Sequence, residues 1–344
     1  MNNDTGSSNR KSDHLEINLH QEVKSSVSNG FESYRFIHQA LPEINLNAVD
    51  LSLFLFGKPL QLPLLISSMT GGTDRSENFN RLFATAAQEY GLAIGLGSQR
   101  AAIENPALAY TFEVRKFAPD ALIFANLGAV QLNLGYGIKE CQRSVDMAGA
   151  DALILHLNPL QEALQPEGNT QFAGLLHKIG LICRQIAVPV IVKEVGWGIS
   201  QATAKRLVEV GVAAIDVAGA GGTSWSQVEM YRQIDPDRAS LAAKFRNWGL
   251  PTAQCLVEVR EALPNTPIFA SGGIQDGIDL AKSLALGAKI GGMAGPLLKS
   301  AEEGYESLSE KIQLIRQELS ICMFACGKKN LAEFDSSVIA KITT

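Results

Sequence analysis

Eight short apolar runs, each followed by an amphipathic stretch or a glycine-rich loop, constrain this chain more than any other feature. They cover residues 62–67, 92–96, 121–125, 152–155, 190–193, 213–217, 267–270 and 288–292. Each has strand length and little polar alternation, as strands buried on both faces require. Segments 77–90, 136–148, 171–186, 200–210, 252–262 and 275–286 place apolar residues at helical spacing between them. Gly91, Gly149, Gly211 and Gly287 stand where a helix would end before the next strand. Parallel strands need crossovers of this kind. Eight such units predict an α/β fold, a (β/α)8 TIM barrel, with a doubly wound sheet as the alternative.

Residues 1–61 fall outside the repeat. Segments 51–55 and 60–62, joined across Phe56-Gly57-Lys58-Pro59, read as a hairpin able to plug a barrel floor. The polar first dozen residues read as a mobile tail without the apolar stretch of a signal peptide. Residues 302–326 read as a terminal helical segment. No Pro- or Ser-rich linker divides the chain. One domain is expected, with arm and hairpin 1–61 packed on barrel 62–344. Segment 112–117 has no clear assignment, and 225–249 reads as a lid or an oligomer contact.

With 344 residues, 46% of them hydrophobic, the chain can bury a large core. A net charge of −5 offers no basic footprint for nucleic acid. No apolar run approaches the roughly 20 residues of a membrane span, so a cytoplasmic protein is expected. Five cysteines, an odd number with no CxxC, argue against a disulfide framework and a structural zinc.

Chemistry collects just past the apolar runs. Ser68-Met69-Thr70-Gly71-Gly72 follow the first and Gly97-Ser98-Gln99-Arg100 the second. Asn126 follows the third, and His156-Leu157-Asn158-Pro159-Leu160-Gln161-Glu162 the fourth. Lys193-Glu194 close the fifth, and Gly219 to Trp225 follow the sixth. Ser271-Gly272-Gly273 and Ala294-Gly295-Pro296 follow the last two. These are the positions that build the active face of a barrel. The 156–162 stretch reads as an active-site wall, or as a turn broken at Asn158-Pro159. The two late glycine loops suit a phosphate cradle, or merely tight turns. Neither a Walker A loop nor a GxGxxG fingerprint is present. Lys193 can form a Schiff base, or stay charged beside an anion such as a reduced flavin. Glu194 would point the other way, to an ion pair. Arg100 suits bidentate contact with phosphate. Arg10, Lys11 and His14 would do the same if the tail folded over the mouth, and are solvated otherwise. Glu162 is the best metal candidate. With no second carboxylate at ligand spacing, Mg²⁺ fits better than zinc or calcium. His20, His38 and His177 have surface or structural contexts.

Taken in series, Arg10-Lys11…His14 and the seven strand-end motifs 68–72, 97–100, 156–162, 193–196, 219–225, 271–273 and 293–296 resemble the type 2 isopentenyl-diphosphate isomerase family. The resemblance implies an FMN-dependent barrel that needs reduced FMN and Mg²⁺. It would interconvert isopentenyl and dimethylallyl diphosphates, with NADPH needed only to charge the flavin. FMN contacts would be Ser68, Met69, Thr70, Ser98, Asn126, Lys193, Thr223, Gly272, Gly273, Ala294 and Gly295. Substrate contacts would be Arg10, Lys11, Ser98, Gln99, Arg100, His156 and Gln161, with Glu162 on the metal. Gln161, Lys193 and His156 would serve the chemistry, and Glu229 matches an acidic position of the family. A homo-tetramer or homo-octamer is implied by analogy. Moving a double bond needs a proton added and one removed, yet the strand ends offer no acid–base pair of carboxylates. The amide of Gln161 barely titrates, so a reduced flavin would carry the proton. An FMN-dependent 2-hydroxy-acid oxidase is the rival, but it needs a His beside an Arg after the sixth strand. Residues 219–225 contain neither. A non-catalytic phosphate-binding barrel leaves Lys193 and the 156–162 wall unexplained.

Overall fold

The computed structural model describes residues 5–342. Eight parallel strands close in sequence order into a barrel. They are β1 (Leu64–Ile66), β2 (Ala93–Gly95), β3 (Leu122–Gly128), β4 (Ala152–Leu157), β5 (Val190–Glu194), β6 (Ala214–Asp216), β7 (Ile268–Ser271) and β8 (Ile290–Met293). Closure rules out the doubly wound sheet and leaves no strand edge open. β3 and β4 run further toward the mouth than their apolar runs, because polar Asn126 and His156 continue the ladder.

Alternation along each strand separates two cores. Ile66, Ile94, Ile123, Leu153, Val192 and Ile215 face outward into the layer shared with the helices. Leu65, Ala93, Phe124, Ile154, Ile191, Ala214, Phe269 and Ile290 face inward. Two residues nearer the mouth, the inward positions become Ser67, Gly95, Asn126, His156, Lys193, Asp216, Ser271 and Gly292. The barrel is thus filled with hydrocarbon below and polar at its C-terminal end. That change within one residue pair per strand is what places a site there.

The floor is closed as expected by a hairpin, Leu53–Leu55 with Lys58–Leu60. Its turn puts Phe56 at φ 49° and Gly57 at φ 79°. Phe56 takes a left-handed conformation that most residues avoid. In return its ring meets Phe124 and Phe269 edge-on at 6.2 and 6.3 Å, beneath their own stacked pair.

The N-terminus departs from the expected tail. Residues 5–20 form a helix, Thr5–His20, with Leu15 buried in the core; residues 1–4 lie outside the described residues. Backbone bonds just after the helix hold it over the barrel mouth. Ser25 donates to the Gly222 carbonyl at 2.8 Å, and Ser224 to that of Val23 at 2.8 Å. Segment 225–249 is not an irregular loop but mainly two helices, Trp225–Arg232 and Pro236–Ala243. Segment 112–117 packs under the mouth through buried Phe112 and Val114. A Cβ on Gly71 would fall 2.0 Å from the Phe112 ring, so only glycine fits there. The terminal helix breaks at Gly304 into Gly295–Glu303 and Tyr305–Ala325. All five cysteines are free, and no helix among the described residues is long and apolar enough to cross a membrane.

Candidate active site

A cavity of about 520 Å³ opens at the C-terminal end of the strands, roofed by the N-terminal helix. Every residue assigned above to flavin, substrate or metal lines it except Gln99. Gln99 is fully buried behind the wall. Its oxygen accepts from the Asn126 amide at 2.9 Å, and its nitrogen donates to the Ser144 carbonyl at 2.8 Å. It ties β3 to helix Ile138–Ala148 and does not itself line the cavity.

The 156–162 stretch is a wall, not a solvated turn. β4 carries His156, Asn158 caps a short helix, Pro159–Leu164, and that helix turns Gln161 and Glu162 inward. Proline at its first position costs no backbone bond. The Gln161 amide is pinned at both ends: it donates to Glu229 Oε1 at 2.9 Å and accepts from Asn158 Nδ2 at 3.0 Å. Glu162 Oε1 accepts from Asn158 at 3.0 Å, while Oε2 accepts from Gln165 at 2.7 Å and the Asn169 amide at 2.6 Å. Asn158, which had no direct role in the sequence reading, thus orients both residues.

His156 Nδ1 lies 2.8 Å from Asn126 Oδ1. Burial, with Lys193, Arg10 and Lys11 nearby, pushes its pKa down to about 3. It is a neutral imidazole at working pH, not a cationic clamp. To meet a diphosphate oxygen it must carry its proton on Nε2, which requires Asn126 to turn its NH₂ toward Nδ1.

Arg10, Lys11 and His14 are not solvated. Lys11 lies 5.0 Å over the Phe112 ring and donates to the Ser98 carbonyl at 2.6 Å. Burial first, then the charge of Arg10, pulls it down to about 7. His14 meets buried Glu229 at 3.0 Å, and Arg232 donates to the other Glu229 oxygen at 2.7 Å. Burial alone would raise the Glu229 carboxyl, but His14, Arg232 and Gln161 together hold it below its ordinary range. Arg232 also bonds Glu167 at 2.7 Å, so it joins helix Trp225–Arg232 to the loop after helix Pro159–Leu164.

Lys193 is buried on β5, donating to the Glu194 carbonyl at 2.6 Å. Glu194 corrects an expectation: it makes no ion pair among the described residues. One of its oxygens accepts from the amides of Val195, Gly196 and Trp197 at 2.6–2.7 Å. Burial raises its pKa to about 7. After β7 Gly272 and Gly273 have positive φ, and after β8 a Cβ on Gly295 would meet nothing.

The FMN-dependent dehydrogenase family matches residues 158–341. Two curated relatives are isopentenyl-diphosphate delta-isomerases. The Nostoc protein is 51% identical over 329 residues, 95% of this chain and 94% of its own. The Synechocystis protein is 54% identical over 325 residues, 94% of this chain and 93% of its own. The chain belongs to the type 2 isopentenyl-diphosphate delta-isomerase family. Solved structures resemble it in fold alone. The flavin-binding domain of baker's yeast flavocytochrome b2 has TM-score 0.68 at 16% identity, covering 95% of this chain and 82% of that one. Pseudomonas putida (S)-mandelate dehydrogenase has 0.65 at 14%, covering 96% and 92%.

The residues present fit what an isomerase of this family requires. The hydroxyls of Ser67 and Ser68 and the Asn158 oxygen are buried at the cavity without partners. An orphaned buried polar atom costs about 1–3 kcal/mol; several at one cavity mark a site that a polar ligand completes. Lys193, the glycine backbone and the free space at Gly295 suit a flavin with its phosphate. For the metal, no cluster of three ligating side chains exists among the described residues. A lone Glu162 suits Mg²⁺, which keeps waters and takes substrate phosphate oxygens. Two parts of the site were missed. Asp216 was read as part of an apolar run, although a lone acid inside such a run is itself a signal. The Arg232–Glu167–Glu229 network joins segments too distant in sequence to be paired by pattern.

Proposed function

We propose that this protein interconverts isopentenyl diphosphate and dimethylallyl diphosphate, with reduced FMN and Mg²⁺. One observation carries the reading. A strand-end lysine with a glycine cradle, and two half-buried cations from the N-terminal helix, line a single chamber. That gives two anion sites facing one apolar-sized gap. Reduced FMN supplies the proton that a double-bond shift needs. Lys193 holds positive charge against the anionic cofactor. Arg10, Lys11 and Arg100 bind the diphosphate, and Glu162 holds Mg²⁺ against it, which positions the substrate without activating a leaving group. Gln161, fixed between Asn158 and Glu229, orients the reacting carbons. The helical roof excludes water from a carbocation-like transition state.

The same reading takes NADPH as reductant, arm 1–61 and barrel 62–344 as one domain, a cytoplasmic location, and a homo-tetramer or homo-octamer. Exposed Tyr231, Ile234, Leu241 and Trp248 in the segment after β6 favour assembly; light scattering tests it. For function, the purified protein should be yellow after reconstitution. Reduced anaerobically, it should isomerise isopentenyl diphosphate with Mg²⁺. Failure to bind flavin overturns the reading, and bleaching by lactate favours an oxidase.

Two smaller effects follow from the roof and the mouth. Arg100, bonded to Glu104 at 2.7 Å, is held in place before substrate arrives. Arg100→Ala should raise KM by about 10-fold, one charge-assisted bond, with kcat little changed in steady-state assays. Lys11, faced by Arg10, Arg100 and Glu104, titrates near 7 in the free enzyme. Diphosphate restores its charge, so binding takes up a proton above that pH. KM should rise toward 10-fold per unit between about pH 7 and 9. Lys11→Met should flatten that rise in a pH–KM profile.

A further inference from the structure

β6 carries one acid in an otherwise apolar run, Ala214-Ile215-Asp216. Alternation turns Asp216 inward, and the ladder sets it beside Lys193. Its side chain has no exposure and lies behind the cavity wall. Oδ1 accepts from Ser271 Oγ at 2.7 Å and from the Ala218 amide at 3.3 Å. Oδ2 has no hydrogen-bond partner and lies 3.9 Å from Lys193 Nζ. A carboxylate buried at such a place is costly unless an opposite charge compensates it.

We propose that Asp216 is a positioning residue that keeps Lys193 protonated and aimed into the cavity whether or not an anion lies there. The proposal rests on the flavin reading above. Burial disfavours an ammonium that has no counter-charge beside it. Burial likewise pushes the Asp216 carboxyl up, and the ammonium opposes that rise. The other titratable groups facing Lys193 are His156 on β4, held neutral, and Glu194, whose carboxylate is turned onto backbone amides. Among the described residues only Asp216 pairs with it. Lys193 therefore sits between one acceptor, the Glu194 carbonyl at 2.6 Å, and the Asp216 carboxylate, which pairs with it across 3.9 Å, and it lines the cavity.

A countable consequence follows. With the ammonium already in place, two-electron reduction of bound FMN to its anionic form consumes two electrons and one proton. Without Asp216, Lys193 is neutral beside oxidised flavin and takes a proton of its own on reduction. Asp216→Asn should therefore bind FMN yet double the proton count per two electrons. That count is read from the pH dependence of the potential in an anaerobic dithionite titration. The doubling should vanish in the Lys193→Met background, as non-additive neighbours require. An unchanged count in Asp216→Asn, or a shift that persists without Lys193, overturns the proposal. Melting curves decide it independently of flavin. Lys193→Met leaves the carboxylate alone, so adding Asp216→Asn should restore melting temperature; no restoration overturns the pairing. A wild-type protein that binds no FMN sinks the flavin reading instead, and the melting comparison still decides the pair.

Discussion

Replacing Arg10 and Lys11 together by alanine should lower kcat/KM for isopentenyl diphosphate by about 10²- to 10⁴-fold while FMN binding survives. Each cation lost removes a charge-assisted bond of about 1.5–3 kcal/mol, together about 3–6 kcal/mol. Both residues lie on helix Thr5–His20, whereas the glycines read as the flavin cradle, Gly272, Gly273 and Gly295, lie on the loops after β7 and β8. The flavin should therefore titrate into the double variant with its usual affinity. The melting temperature separates this role from a structural one. Lys11 is buried with its pKa pulled down to about 7, so its charge is a burden on the free protein. Its ammonium bonds a backbone carbonyl of Ser98. Removing it should leave stability unchanged or raised, because desolvation costs this ammonium more than its bond to Ser98 returns. A large loss of melting temperature, with KM unchanged in steady-state kinetics, would place these residues in the scaffold.

The barrel was legible because its signal is local and repeated. Each strand announces itself by a run such as 190–193, and each crossover by helical spacing. The strand ends were legible for the same reason: Lys193 and His156 are simply the next residues after a buried run. The roof was not. Nothing within residues 5–20 shows an apolar stripe; what holds the helix is Leu15, and backbone bonds from residues 23–25 to residues 222–224. Contacts spanning some two hundred positions leave no mark on local pattern. Gln99 fails for a different reason. It sits in a motif with Ser98 and Arg100, yet it lies at the turn into helix Arg100–Glu104, and its side chain points away from the cavity that Ser98 and Arg100 line. Its amide was needed to hold Asn126. Glu194 is similar: the sequence supplies an acid, but only the turn after β5 reveals three amides waiting for it.

Glu162→Gln should raise the Mg²⁺ concentration needed for half-maximal rate by at least about 100-fold. Loss of residues that merely support a metal ligand costs about 10–100-fold, and this carboxylate is the ligand itself. The amide is isosteric, but it cannot satisfy the wall. If its NH₂ takes the Oε2 position, it faces the donors of Gln165 and Asn169; if it takes Oε1, it faces Asn158. The second arrangement opposes fewer donors and is the one expected. Asn158 can then turn its unpartnered oxygen toward the new NH₂, but this takes its own NH₂ away from Gln161 Oε1. The substitution thus reaches Gln161 through Asn158, and kcat should stay reduced even at saturating Mg²⁺. The flavin contacts lie on other strands, so FMN affinity should change by no more than about 3-fold, within ~1 kcal/mol. Metal titration of the reduced enzyme, beside FMN fluorescence quenching of the apoprotein, reads both. Equal loss of flavin and metal would show that Glu162 supports the cavity as a whole, and would remove it from the metal.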